Sequence, residues 1–278
     1  MSILSAILLG LVQGVAEFLP ISSSGHLAIA EHLLDISSGA MDVPEFFDVL
    51  LHLGTLAAVF VAYWSEVREM VVELIHGVRD LAHHSTPTPV PPARRMILLI
   101  LVGTFPLFAV LPIADLVEGL SNNIYFVAGA LLVTGVLLFA SDRVKKGRKT
   151  ERNATLLDVF LVGVAQAIAT CPGISRSGTT ITAGCFLGFE RKFAVRYSFL
   201  MSIPAILGAN ILSLKDAMET VVLADVPVYL IGVAVSAVVG YACIRLLKMI
   251  ADKGKFGFFA YYCWAAGLVT LLLTWFQK

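Results

Sequence analysis

Charge is what this sequence has least of. Only 14% of its 278 residues are Asp, Glu, Lys or Arg, while 58% are hydrophobic. An average soluble domain is roughly 25% charged. The mean hydropathy is +0.86. A chain this apolar cannot cover itself with polar surface, which argues against a soluble globular domain and makes lipid its solvent. Acidic and basic residues balance at twenty each, so no net charge points to nucleic acid or to an acidic partner. Cysteine is sparse too. Cys171, Cys185, Cys243 and Cys263 lie apart in apolar stretches, with neither metal-site spacing nor a redox pair among them, and they read as buried thiols. No cleavable leader is expected. The first twenty residues lack a basic start and carry Gln13 and Glu17 where a leader is apolar.

What the chain has in abundance is long apolar runs. A membrane-crossing helix needs about 20 apolar residues, and six stretches meet that length, near 46–65, 95–113, 122–141, 191–213, 224–247 and 257–276. Two further stretches do not. Residues 2–35 are interrupted at Pro20 and a serine cluster, and residues 155–188 at Pro172-Gly173, leaving halves of about 12–17 residues. Short broken helices are tolerated at membrane depth only where protein or a water-filled cavity surrounds them. Both stretches therefore read as re-entrant hairpins that enter and leave on one side. Residues 66–82 read as a surface helix and 85–92 as an ordinary loop.

The basic residues test this count. Arg68, Arg79, Arg94 and Arg95 follow the first span. Arg143, Lys145, Lys146, Arg148, Lys149 and Arg152 follow the third. Arg191, Lys192 and Arg196 open the fourth, and Arg245, Lys248, Lys253 and Lys255 close the fifth. Six spans and two re-entrant hairpins put all seventeen on one side, with only Lys215 and Lys278 opposite. A basic bias marks the cytoplasmic side, so both termini face outward. Making either hairpin a full span would destroy the bias.

Residues 10–25 and 163–178 agree at seven of sixteen positions, 153 residues apart. Gln13 matches Gln166, Ser22 matches Ser175, Ser24 matches Ser177, and Gly25 matches Gly178. Each copy is a hairpin followed by three spans, an odd number, so the second copy starts on the opposite side. The expected architecture is an all-α polytopic membrane protein with six transmembrane helices and two re-entrant hairpins. It forms a single membrane domain, 1–278, with inverted repeats over about 1–145 and 155–278. Hairpins dipping from opposite faces meet near the midplane.

The two tips carry Ser22, Ser23, Ser24, Gly25 and His26, and Ser175, Arg176, Ser177 and Gly178. A short helix begins after each. Its first N–H groups lack intrahelical partners and its positive dipole end attracts anions, phosphate above all. Serine hydroxyls add donors, Arg176 adds a fork matched to phosphate oxygens, and glycine lets backbone approach closely. Binding alone needs neither Glu17 nor His26. Ionisable groups at membrane depth are costly and mark function. Carboxylate, imidazole and hydroxyl together suit phosphoryl transfer or hydrolysis. Gln13 lies one turn before Glu17 on the same face. Asp48 and His52, one turn apart in the first span, could line the site's entrance, hold a cation or merely pack. His32, His76, His83 and His84 read as interface or loop residues, and Tyr, Trp and Phe near span ends as an aromatic belt.

The run from Gln13 through Glu17 to Ser22-Ser23-Ser24-Gly25-His26, with the run Pro172-Gly173-Ile174-Ser175-Arg176-Ser177-Gly178, resembles the undecaprenyl-diphosphate phosphatase family, also called the bacitracin-resistance protein family. Length, span count and repeat agree, so the resemblance covers the whole chain. It implies hydrolysis of undecaprenyl diphosphate to the monophosphate and phosphate, which recycles the lipid carrier of peptidoglycan synthesis and confers bacitracin resistance. It also implies a bacterial plasma-membrane enzyme with a site open to the outer face, a polyprenyl diphosphate and membrane lipid as its partners, and a divalent cation such as magnesium or calcium. On that reading Glu17, Ser23, His26 and Arg176 are catalytic. Gln13, Ser22, Ser24, Gly25, Ser175, Ser177 and Gly178 bind substrate, and Glu17 holds the metal with the diphosphate's help. Gln13 departs from members with two glutamates, which shifts weight onto Glu17. Ser23, His26 or water could be the nucleophile. Whether two copies pair as a homodimer is left open.

Two alternatives compete. Inverted repeats with broken helices also suit an alternating-access transporter, and fold alone does not separate the two; the Glu17 and His26 pair favours the enzyme. The other lipid phosphatase superfamily shares a Ser-Gly-His, but its third motif needs a later histidine, and none follows His84.

Overall fold

The computed structural model describes residues 1–38, 45–83, 89–219, 221–253 and 255–276, with the backbone alone at 31–38, 45, 81, 214–219 and 252. Secondary structure among the described residues is helical, apart from one bridge between Lys149 and Phe189. Two short helices, α1 (Ile3–Phe18) and α2 (Ser23–Ser38), flank Pro20. Then come α3 (Glu45–Ala62), α4 (Trp64–Ala82), α5 (Pro92–Thr104), α6 (Ala114–Gly119) and α7 (Ile124–Ser141). A second short pair, α8 (Leu156–Ile168) and α9 (Arg176–Phe186), flanks Pro172 and Gly173. The chain ends in α10 (Arg191–Glu219), α11 (Val226–Lys253) and α12 (Gly257–Phe276).

Among the described residues five segments are long and apolar enough to cross a membrane: Pro92–Asn122, Ile124–Ser141, Arg191–Ser213, Leu223–Ala251 and Gly257–Phe276. A sixth counts only if Phe46–Ala62 is joined to Trp64–Asp80 across an 85° bend. The protein is therefore a multi-pass membrane protein. Several expected boundaries move. The first span stops at Ala62, where α4 turns off, because Glu66, Arg68, Glu69 and Glu73 on its early turns favour water. On the other face of α4, Val71, Val72, Leu74, Ile75 and Val78 are exposed, the pattern of a helix lying in an interface. The second span is α-helical only to Thr104 and continues as tight 3₁₀ turns at 105–113. Pro106 and Pro112 donate no backbone hydrogen and break the regular ladder. α10 and α11 run six residues past their expected ends. Of the expected loop at 85–92, residues 85–88 lie outside the described residues and Pro92 already opens α5; the side chains of His32, His84, Lys215 and Lys278 also lie outside them.

Equivalent glycines make equivalent contacts in the two halves. A Cβ on Gly10 in α1 would stand 2.6 Å from the Gly232 carbonyl and 3.2 Å from Val235 Cβ in α11. Gly163 in α8, 153 positions later, abuts the Gly103 carbonyl and Pro106. Positions 103 and 106 lie 129 before 232 and 235. Where α7 crosses α12, Gly135 faces the Ala260 carbonyl at 3.1 Å and Gly267 faces the Ala128 carbonyl at 2.9 Å, each residue 132 positions from its counterpart. Such close backbone approach needs small residues, as membrane helix packing generally does.

The polar connections gather at one end. Arg95 donates to the Glu151 and Ala154 carbonyls at 2.7 and 2.9 Å. Lys149 pairs with Asp158 at 2.8 Å, and Arg196 pairs with Glu151. Asp142 accepts from Arg191 at 3.2 Å and from the Phe256 and Gly257 amides at 2.9 and 2.7 Å. Lys248 donates to the Ala62 carbonyl at 3.0 Å. The basic loops thus lie against one another. Elsewhere the amino terminus pairs with Asp225 at 2.7 Å, just before α11.

Candidate active site

Both tips end in the same local device. Ser22 precedes α2, and its Oγ accepts from the Gly25 amide at 3.2 Å. Ser175 precedes α9, and its Oγ accepts from the Gly178 amide at 3.1 Å. In each tip the capping hydroxyl lies 3.4 Å from the next serine but one, Ser24 or Ser177. Serine is a strong N-cap because its oxygen satisfies an amide that the helix cannot. The helices consequently start at Ser23 and Arg176, positions that match at the 153-residue offset. The tips touch: a Cβ on Gly25 would stand 2.9 Å from Gly173 Cα, and one on Gly178 would stand 3.2 Å from Pro20 Cβ.

Glu17 sits at the join, only 6% exposed. One carboxylate oxygen pairs with the Arg176 guanidinium. The other accepts from Ser23 Oγ at 2.9 Å and Gln13 Nε2 at 3.3 Å. Gln13 Nε2 also lies 3.0 Å from His52 Nδ1, whose ring is 3.8 Å from Glu17 and 3.7 Å from Asp48. Asp48 and His52 therefore extend the carboxylate's surroundings along α3. A small cleft of about 40 Å³ opens beside Glu17, lined by Ser22, Ser23, Ser24, Ser175 and Arg176, with Ala16, Ala169 and Ile174.

His26 does not line the cleft. Its Nδ1 is 2.7 Å from the Ser22 carbonyl and its Nε2 is 2.8 Å from the Tyr262 hydroxyl. The two rings stack, 5.5 Å apart and inclined by 10°. Of the two residues expected to serve Ser23, Glu17 is in contact with it and His26 is not. Helix geometry explains it: three residues along α2 from Ser23, the imidazole folds back onto the preceding carbonyl. Gly178 and Ser177 lie behind the cleft wall, with Ser177 Oγ donating to the Leu19 carbonyl at 3.5 Å.

Sequence reading missed two contributors. Thr134 Oγ1 donates to the Gly173 carbonyl at 3.1 Å and accepts from the Ser175 amide at 3.0 Å, which pins the second tip. Its signal is a hydroxyl in an otherwise apolar span. Tyr262 was read only as part of an aromatic belt, and nothing local marks it as His26's partner.

A buried ion pair, a serine held on a carboxylate and two capped helix starts thus surround one cleft between the tips. The sequence matches the model of a protein family described as bacitracin resistance protein BacA, over residues 6–269, and the chain belongs to that family. It is similar to the undecaprenyl-diphosphatase of Methanosphaera stadtmanae, at 39% identity over 99% of both chains. The undecaprenyl-diphosphatase of Alkaliphilus metalliredigens is 39% identical, again over 99% of both. That of Syntrophotalea carbinolica is 40% identical over 96% of this chain and 97% of its own.

Proposed function

We propose that this protein hydrolyses undecaprenyl diphosphate to undecaprenyl phosphate and inorganic phosphate, with Ser23 as nucleophile. Relatives bearing that activity's name align over nearly the whole chain. The observation that carries the reading is the 2.9 Å contact from Ser23 Oγ to Glu17, whose other oxygen holds Arg176. A nucleophile, a proton acceptor and a phosphate-binding fork share one small cleft, and a transporter needs no such serine–carboxylate contact.

The diphosphate competes with Glu17 for Arg176. As the guanidinium turns its fork to phosphate oxygens, Glu17 is freed to take the Ser23 proton. Ser23 Oγ then bonds to the terminal phosphorus while the bridging P–O bond breaks, its electron pair leaves with undecaprenyl phosphate, and that leaving oxygen takes the proton from Glu17, which is again a carboxylate. Water, deprotonated by Glu17, releases phosphate from the serine and restores the hydroxyl. The amides of Ser23, Ser24, Arg176 and Ser177 belong to first helical turns and lack intrahelical acceptors, so they suit the developing charge. The position of His26, turned from Ser23, favours serine over imidazole as nucleophile.

Among the described residues no three His, Cys, Asp or Glu side chains form a metal cluster. The Gln13 Oε1, however, is buried without a partner beside Glu17. Two hard oxygens suit magnesium or calcium as a partial shell, which the diphosphate completes. When bound, such a cation neutralises phosphate oxygens.

The finer architecture belongs to the same proposal. The matched glycine contacts support two inverted repeats, about 1–145 and 155–278, with α1–α2 and α8–α9 as re-entrant hairpins and α3, without α4, as the sixth span. Mutual contact of the basic loops supports a cytoplasmic end in a plasma membrane, with both termini and the cleft opening outward. Purified protein is expected to release phosphate from a polyprenyl diphosphate, and Ser23→Ala is expected to slow it by on the order of a thousand-fold or more. A variant rate near wild type would remove Ser23 as nucleophile.

A further inference from the structure

His26 has two ring nitrogens and both are occupied. A backbone carbonyl can only accept, so the 2.7 Å contact with the Ser22 oxygen puts the proton on Nδ1. In the neutral ring Nε2 is then the acceptor, and the Tyr262 hydroxyl, 2.8 Å away, donates to it. The near-parallel stack, with the rings 10° from coplanar, fixes the imidazole plane as well. Tyr262 comes from α12, 236 residues later in the chain. Its own ring is 45% exposed on the outer surface of the bundle. The Ser22 carbonyl thus sets the tautomer, and the Tyr262 side chain fixes the ring plane and caps the remaining lone pair of His26.

Ser23 and His26 are three apart on α2, so the imidazole, though turned from the serine, stands one helical turn from it. A diphosphate attacked at Ser23 has its second phosphate one bridging oxygen away, on the lipid side of the scissile bond. We propose that Tyr262 is a positioning residue of the phosphatase site. By donating to His26 Nε2 it fixes the imidazole of the Nδ1–H tautomer one helical turn from Ser23, with Nε2 held as an acceptor. This inference rests on the phosphatase reading.

Tyr262→Phe removes the hydroxyl alone and keeps a ring for the stack. The test compares it with wild type and with Tyr261→Phe, which alters the neighbouring exposed tyrosine. Diethyl pyrocarbonate acylates unprotonated imidazole nitrogen, and mass spectrometry of the peptide containing His26 reads that site alone. Uncapping Nε2 is expected to speed His26 acylation about ten-fold, the size of one neutral hydrogen bond lost. Turnover of polyprenyl diphosphate is expected to fall about ten-fold in kcat with KM within about two-fold, since the interaction matters on the way to the transition state. Tyr261→Phe should change neither. Unchanged His26 reactivity in Tyr262→Phe overturns the proposal, and so does faster acylation with unchanged kcat. Wild-type protein that releases no phosphate would instead defeat the phosphatase reading, whichever way His26 reacts.

Discussion

At the first tip the chain passes from α1 to α2 through Pro20, Ile21 and Ser22, and it is Ser22 that takes the left-handed conformation, φ 73°. At the second tip the corresponding turn runs through Gly173, Ile174 and Ser175. There glycine takes the left-handed place, φ 89°, while Ser175 is extended at φ −69°. The second tip is anchored twice by Thr134, whereas Ala266, 132 positions after Thr134 in α12, offers the first tip no hydroxyl. Ser175 and Ser177 are fully buried, but Ser24 is exposed and His26 half so. One tip is a relaxed, pinned wall carrying the cation. The other is strained and open, and in the mechanism proposed above it carries the groups that react. Strain that persists in a non-glycine residue is characteristic of functional sites. The two tips share one capping device, and the proposed mechanism places the chemistry where they differ.

Removing the join between the tips should have the largest effect. Arg176→Gln leaves Glu17 buried without its counter-charge and is expected to cost about 3–5 kcal/mol of stability. Adding Glu17→Gln to that variant should recover most of the loss in unfolding experiments, while activity stays absent. If the second change recovers nothing, the pair does not couple the tips. Next in size is the anchor. Thr134→Val deletes both hydrogen bonds to the second tip, an expected loss of about 2–3 kcal/mol, visible as a lower Tm. The smallest effect sharpens the backbone contrast. Ser22→Gly relieves the left-handed serine and forfeits only a few tenths of a kcal/mol of capping, so stability should stay within about 0.5 kcal/mol of wild type. Ser175→Gly has no strain to relieve and loses roughly 0.5–1 kcal/mol of backbone entropy besides. Equal stabilities for the two variants would mean the tips are not strained differently.

Much of this was legible in the sequence because it is local. A short helix is expected after each serine-rich tip, and one is found there, although it starts within the tip, at Ser23 and Arg176, because Ser22 and Ser175 cap it. Gln13 four residues before Glu17 implies a shared face, and their side chains meet at 3.3 Å. The acidic and basic turns after Ala62 imply a helix that leaves the membrane, and α4 bends away by 85°. What escaped notice are contacts with no local trace. Gln13 reaches His52 across 39 residues, Thr134 reaches Ser175 across 41, and His26 reaches Tyr262 across 236. The direction of the His26 ring also depends on a backbone carbonyl, which every residue has and which no pattern of residue types reveals.

The Glu17–Arg176 pair has a consequence for how the protein is made. Its partners lie 159 residues apart. At about 5–20 residues per second of synthesis, roughly 8–30 seconds separate their emergence from the ribosome. Throughout that interval the first hairpin has a carboxyl group destined for the membrane interior and no guanidinium to meet it. Assembly of the first half is thus incomplete until the second hairpin inserts, and a nascent chain halted before Arg176 has half a cradle and no enzyme. In the mechanism proposed above, the hydrolase therefore stays silent until both halves are in the bilayer.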